Sequence, residues 1–190
     1  MSRRVRRGAA RIVALAVTAG AALLPLPVSA GAATATTTLA PGTLGFVKVP
    51  ALKFKDKLNG RNQTATFAQA INVGDARGSG VGWDVTVTST TFTVGGHTLP
   101  TTATTVPTAP TVACDAGVTC TPASPSGLVT YPYTVPAAAT APTATRLFSA
   151  AAGTGLGDQT VTPTWSLAIP ANTYSGKFKS TWTFSLVSGP

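Results

Sequence analysis

The chain has 190 residues, enough for one domain of ordinary size. Lys and Arg outnumber the acidic residues by 14 to five, and the formal net charge is +9. A single His, five Asp and no Glu leave few groups for acid–base catalysis or metal binding, which argues against an enzyme.

Residues 1–30 have the pattern of a cleaved secretory signal peptide. Five arginines lie within the first 11 positions, an apolar Ala-rich run covers 12–24, and small residues at 28–30 suit a cleavage site. A glycine and two prolines interrupt or follow the run, which favours cleavage over a single-pass membrane anchor. Removing the five arginines leaves nine basic residues against five Asp, a net charge of +4, so a nucleic-acid partner is not supported.

Short β-branched segments follow the signal peptide. Residues 31–42 are Ala/Thr-rich and are predicted to be disordered. Apolar positions in the third predicted strand change from odd to even numbers, which predicts a bulge or bend between Thr88 and Thr91. Gly95-Gly96 predicts a hairpin turn. The predicted strands up to residue 170 cover 44–49, 64–73, 81–94, 146–149 and 160–169.

The second half of the chain combines a proline-rich stretch with a final strand. Residues 100–145 contain eight prolines, which remove ladder donors and predict a long loop with an edge strand at 127–135. After the signal peptide no segment has a helical apolar stripe, so the predicted fold is all-β, an antiparallel β-sandwich that is Ig-like in general architecture. In the final strand Phe178, Trp182, Phe184 and Leu186 face one way, and Lys177, Lys179, Thr181, Thr183 and Ser185 face the other.

Four motifs occur in a fixed order within residues 43–190. They are Asp75-Ala76-Arg77-Gly78 before Gly82-Trp83-Asp84-Val85, Leu147-Phe148-Ser149-Ala150 before Gly153-Thr154-Gly155-Leu156-Gly157, Leu167-Ala168-Ile169-Pro170-Ala171-Asn172-Thr173-Tyr174, and Thr181-Trp182-Thr183-Phe184. The ordered set resembles the WxL domain of Gram-positive cell-surface proteins. Both of its Trp motifs keep an apolar third residue in place of Leu, and the one literal Trp-x-Leu is Trp165-Ser166-Leu167. The resemblance implies a secreted protein at the cell wall or cell surface that binds peptidoglycan, or another wall polymer, without a covalent link.

The two cysteines, Cys114 and Cys120, enclose five residues of the proline-rich stretch. In a secreted chain with two cysteines, a disulfide that closes a small loop is predicted. A metal pair and a redox pair are the alternatives. Two thiols without a nearby His are too few for zinc, and the spacing is not Cys-x-x-Cys. We therefore predict no metal site and no cofactor.

The sequence gives little support for a catalytic site. His97 follows the predicted Gly-Gly turn and is predicted to be a solvated turn residue, because no nucleophile motif accompanies it. Asp75 and Asp84 are close enough in sequence to form a carboxylate pair. Asp75 lies two residues from Arg77, however, so a salt bridge or a turn cap is the simpler interpretation. No catalytic residue is predicted.

The three tryptophans, Trp83, Trp165 and Trp182, have two interpretations. Aromatic rings can stack on sugars, but each Trp alternates with polar neighbours, which places it on the apolar face and favours the core. The polar face beside these residues is the better candidate for ligand contact. The candidate ligand-binding residues are Trp83, Asp84, Thr86, Lys177, Lys179, Trp182 and Thr183.

The resemblance implies the principal functional hypothesis, and two alternatives stand beside it. The principal hypothesis is a non-catalytic module that binds the Gram-positive cell wall non-covalently. The first alternative is a structural or adhesive subunit that binds another surface protein. The second is a secreted hydrolase, which the shortage of catalytic residue types disfavours. No membrane partner is expected after signal cleavage.

Overall fold

β-Strands form the regular structure of residues 35–190, the part of the chain that the computed structural model describes. The predicted signal peptide, 1–30, lies outside the described residues. No membrane-spanning helix is found within 35–190. The strands are β1 (Leu44–Lys48), β2 (Gln63–Ala68), β3 (Ile71–Asp75), β4 (Trp83–Thr90), β5 (Thr93–Val94), β6 (His97–Thr98), β7 (Thr104–Val106), β8 (Thr111–Cys114), β9 (Tyr133–Thr134), β10 (Ala137–Ala138), β11 (Thr145–Ala150), β12 (Gly157–Thr162), β13 (Thr164–Ile169) and β14 (Trp182–Ser188).

The strands assemble into three four-stranded sheets and a hairpin. The first sheet has the order β1-β3-β12-β8, and the third has the order β2-β13-β7-β9. In the second sheet β4 pairs with β11, β14 and the short β10. Strands β5 and β6 form the hairpin. The pairings are antiparallel apart from the contact of β10 with β4, so the predicted antiparallel β-sandwich is confirmed.

Two long predicted strands each divide where the chain passes from one sheet to another. Residues 64–73 form β2 and β3, separated by Gln69 and Ala70, and residues 160–169 contribute to β12 and β13, separated by Pro163. Strand β2 pairs with β13 in the third sheet, whereas β3 pairs with β12 in the first. At the bend the N–H of Gln69 donates to the carbonyl of Pro163 at 3.1 Å. The prediction of two continuous strands was wrong. Buried and exposed residues keep alternating with a period of two through each bend, so the pattern does not reveal where a strand ends.

A short irregular segment separates β4 from the hairpin. It lies at Thr91–Phe92, just beyond the interval between Thr88 and Thr91 where a bend was predicted. Gly95 and Gly96 have φ angles of 53° and 84°, the left-handed values that a two-residue primed turn requires. The predicted Gly-Gly hairpin turn is confirmed.

The proline-rich residues 100–145 are more regular than the sequence indicates. Strands β7, β8, β9 and β10 all lie in this segment, although each has four residues or fewer. The predicted edge strand at 127–135 is reduced to β9. The segment therefore supplies short strands to all three sheets instead of forming one long loop.

The last strand is shorter than its alternating pattern. Strand β14 begins at Trp182, so Lys177 and Lys179 lie before it and not on its outer face as predicted. Lys179 instead exchanges two backbone hydrogen bonds of 2.9 Å with Thr93. Exposure still alternates from Lys177 onward. An extended chain points successive side chains to opposite sides even where it lacks a continuous ladder of strand hydrogen bonds.

Tryptophans lie at the centre of the core. Trp83 and Trp165 are fully buried, and the half-buried Trp182 has its ring centroid 5.0 Å from that of Trp165. The indole N–H of Trp165 donates to Oε1 of Gln69 at 2.9 Å, and the Gln69 amide donates to the carbonyl of Pro50 at 2.6 Å. The core interpretation is confirmed for Trp83 and Trp165.

Candidate functional site

The proximal motif forms an ion-paired turn after β3. Arg77 donates to the buried carboxylate of Asp75 from its backbone N–H at 3.1 Å, from Nε at 2.9 Å and from a terminal nitrogen at 2.8 Å. The side-chain hydrogen bonds of Arg77 lower the pKa of Asp75 below its ordinary value of 3.8, although burial acts in the opposite direction. The guanidinium also donates to the carbonyl of Gly82 at 2.8 Å, which fixes the approach to Trp83. Asp75 thus has both predicted roles, a salt bridge and a turn cap.

The glycine-rich motif after β11 receives the ring of Trp83. The indole N–H donates to the carbonyl of Gly155 at 2.9 Å, and the ring centroid lies 5.7 Å from that of Phe148. Gly155 has a φ of 80°, and a Cβ at this position would lie 2.5 Å from Nε1 of Trp83. Both the backbone conformation and the close contact require glycine here. Two motifs that are far apart in the sequence are therefore in direct contact.

The distal motif lies in the same sheet as the proximal one. Strand β14 pairs with β4 from Trp182 opposite Ser89 to Ser188 opposite Trp83. Trp182 packs against the core, and the next residue, Thr183, is exposed on the opposite face of the sheet. The inner face of β4 and β14 thus builds the core. On the outer face Thr183 of β14 is exposed, whereas Asp84 and Thr88 of β4 are buried.

The candidate ligand-binding residues occupy different environments. Thr183, Lys177 and Lys179 are exposed, Thr86 and Trp182 are half-buried, and Trp83 and Asp84 are buried. Asp84 is only 3% exposed, and Nε of Arg146 lies 2.6 Å from its Oδ2. The prediction that Asp84 lies on a solvent-exposed face was therefore wrong. The ring of Trp83 is also buried and therefore cannot contact a ligand at the surface.

A cleft of about 480 Å³ opens on the outer face of β4 and β11. Thr86 lies in it beside Arg146, whose side chain remains 49% exposed despite its ion pair. Thr130, Thr145 and the exposed Leu128 also line the cleft, and the hydroxyl of Thr145 lies 2.7 Å from that of Tyr133. The cleft therefore combines threonines, a cation and an apolar side chain.

Sequence reasoning missed Arg146. A buried carboxylate such as Asp84 requires a partner, but the alternation of β4 indicates an exposed Asp and so no need for one. The pairing of β4 with β11 places Arg146 opposite Thr86, and this register is not visible in the sequence. The one available signal was an isolated basic residue at the start of a predicted strand.

The two cysteines and the single histidine of the described residues lie outside the proximal and distal motifs. Cys114 and Cys120 form the predicted disulfide. His97 is exposed at the start of β6, and its ring is stacked on that of Tyr174. Within residues 35–190, no group of three or more His, Cys, Asp or Glu side chains is arranged to hold a metal ion.

Comparison with known proteins matches the chain to a protein family. The family model described as "WxL domain surface cell wall-binding" matches residues 30–190. No curated protein and no solved structure matches the chain. The match covers both Trp motifs, the glycine-rich motif that receives Trp83 and the sheet that joins them. The chain therefore belongs to the WxL family of surface cell wall-binding domains.

Proposed function

We propose that this protein is a non-catalytic surface module that binds peptidoglycan without a covalent link. The observation that carries the proposal is the match of a cell wall-binding family to residues 30–190. Residues 1–30 act as the export signal in this proposal, and the domain is retained outside the cell by its folded surface.

The proposed contact surface is the outer face of β4 and β14 with the adjoining cleft. Thr183 presents an exposed hydroxyl that can donate to and accept from sugar hydroxyls and amides. The hydroxyl of Thr86 donates to the carbonyl of Ser185 at 3.4 Å and can still accept a hydrogen bond. The half-exposed guanidinium of Arg146 suits a carboxylate of a stem peptide. Lys177 and Lys179, exposed just before β14, add positive charge. Short hydroxyl side chains lose little conformational entropy on contact, which favours a surface that binds a polymer.

Co-sedimentation of residues 31–190 with protein-free sacculi tests the proposal. We expect the wild-type domain to pellet with sacculi. The variant Thr183→Asp places a charge on the proposed face and should bind at least several-fold more weakly, since a desolvated, unpaired charge opposes contact. Thr66→Asp is the matched control, because Thr66 is an exposed β2 threonine away from this face. Wild-type protein that stays in the supernatant would refute the function, and equal losses in both variants would refute the surface.

A protein partner is the second candidate function. Val47 on β1 is 65% exposed and Val187 on β14 is 48% exposed, so each offers an apolar side chain to a partner surface. This candidate predicts binding to envelopes that retain their proteins and no binding to sacculi stripped of protein. The same sedimentation experiment, done with both preparations, separates the two functions.

A further inference from the structure

The rings of His97 and Tyr174 form a stacked pair at the surface. Their centroids are 3.6 Å apart and their planes differ by 12°. Tyr174 is 60% exposed, and His97 is also exposed. Since stacking covers one face of each ring, the exposed area belongs to the opposite faces and the edges. An ordered aromatic side chain with this much exposure is a candidate for ligand contact and contributes little to the core.

Two elements hold the pair in position. His97 opens β6 of the hairpin, and Tyr174 follows a turn at 170–173 that a 3.1 Å backbone hydrogen bond closes. The reciprocal backbone hydrogen bonds between Thr93 and Lys179 join the hairpin to the segment that carries Tyr174. A ligand would therefore meet rings that are already ordered, which lowers the entropic cost of binding.

A cleft of about 370 Å³ lies beside the stacked pair. Leu99 and Phe178 supply apolar lining, and Asn172 supplies an exposed amide. Its volume is near the lower end of the range for small-ligand sites, roughly 300–1,000 Å³. Among the described residues that line it there is no Asp, Lys or Arg, so the site suits a neutral ligand better than a phosphate-rich polymer or a charged peptide.

We propose that this cleft binds a neutral sugar unit, an N-acetylhexosamine of the wall glycan. The inference rests on the proposed function and gives it a specific site, separate from the face of β4 and β14. The C–H groups on one side of a sugar ring carry partial positive charge and suit the negative face of the Tyr174 ring. Hydroxyl and acetamido groups match the donor and acceptor of the Asn172 amide.

Titration of the folded domain with a soluble tetrasaccharide of β-1,4-linked N-acetylglucosamine tests the site. NMR of the wild-type domain should show shifts concentrated at His97, Asn172 and Tyr174. Tyr174→Ala should weaken binding by roughly tenfold or more, and Tyr174→Phe should retain most of it, because the ring face makes the contact. Leu39→Ala is the control, since Leu39 is 87% exposed and lines neither cleft. It should bind as the wild type does.

The outcomes separate this inference from the proposed function. In one outcome the wild-type domain pellets with sacculi but does not bind the tetrasaccharide, or its NMR shifts occur at other residues. That outcome overturns the sugar site and leaves wall binding intact. Equal binding by Tyr174→Ala and wild type also overturns it. Domain that binds the tetrasaccharide at these residues but does not pellet with sacculi supports the site and refutes the proposed function. Should Tyr174→Ala fail to fold, the wild-type shift map decides.

Discussion

At the scale of single residues, Gly155 shows how a backbone position and a side chain constrain each other. Its φ of 80° is matched by the 79° of Gly153 two residues earlier, but a Cβ would meet the ring of Trp83 only at position 155. The two glycines therefore differ in packing and share the same backbone requirement. This difference allows the contact with Trp83 to be measured separately from backbone strain.

Gly155→Ala should destabilise the domain by about 1–3 kcal/mol more than Gly153→Ala. Both variants place alanine in a left-handed conformation, at a cost of about 1–2 kcal/mol each, and only the first also overpacks the site of Trp83. Urea denaturation monitored by tryptophan fluorescence measures both free energies of unfolding. Equal losses would show that the contact between Gly155 and Trp83 does not constrain the fold.

The ion pair of Asp75 and Arg77 should make stability depend on pH in the acid range. The pKa of Asp75 is lower in the folded state than its ordinary 3.8, so the stabilisation is complete above that value and is lost as pH falls through the folded pKa. Asp75→Asn should lower the free energy of unfolding by about 2 kcal/mol at pH 7, and the deficit should shrink near pH 2.

Urea denaturation of both proteins at pH 7 and pH 2 measures this deficit. Asp56→Asn is the control, because Asp56 is exposed and its Oδ1 accepts a local hydrogen bond from the N–H of Lys57. It should change stability by no more than about 0.5 kcal/mol at pH 7. A deficit for Asp75→Asn that is the same at both pH values would contradict the assigned ion pair.

At the scale of elements, the sequence predicts strands in which apolar and polar residues alternate. It does not predict the points at which the chain passes from one sheet to another. The alternation of β4 and the Gly-Gly turn were sufficient to predict one strand and the hairpin. The bend at Gln69 was missed because Gln69 occupies an inward position like its apolar neighbours, and its partners Pro50 and Trp165 are distant in sequence. The same limit applies to the site, since Thr86 was selected by periodicity and Arg146 depends on strand register.

Strand β14 should be essential for cooperative folding. Removal of residues 182–190 would leave one edge of β4 without its partner and would uncover Trp165, which packs against Trp182. An unpaired edge beside an exposed tryptophan favours aggregation. We expect the truncated domain to lose its cooperative thermal transition by circular dichroism. Removal of Pro190 alone should leave the transition intact, and a cooperative transition in the longer truncation would contradict the prediction.

At the scale of the whole molecule, the charge distribution is uneven. Two of the five carboxylates, Asp75 and Asp84, are ion-paired with Arg77 and Arg146. The excess charge of +4 beyond the predicted signal peptide therefore lies on exposed basic side chains. Within residues 35–190, the basic residues outside the two ion pairs are Lys48, Lys53, Lys55, Lys57, Arg61, Lys177 and Lys179.

Binding to sacculi should weaken as salt rises from 50 to 500 mM NaCl. Exposed charges act over about 10 Å at 0.1 M salt and about 3 Å at 1 M, so attraction to an anionic wall decreases across this range. Replacing both Lys177 and Lys179 by Gln removes two charges and should make the salt dependence shallower. Co-sedimentation across the salt series gives the measurement. Binding that is the same at both ends of the series would show that charge does not contribute.

Wall binding at both proposed sites would have a consequence for how firmly the protein is retained. A wall polymer repeats the same chemical unit many times, so a domain with two separate binding clefts can engage it twice. The second contact then occurs at a high effective concentration, and overall retention exceeds the affinity of either cleft alone. Short soluble fragments would occupy one cleft at a time and would therefore compete poorly. Cleavage of the polymer into small pieces would release the protein without any change in the protein itself.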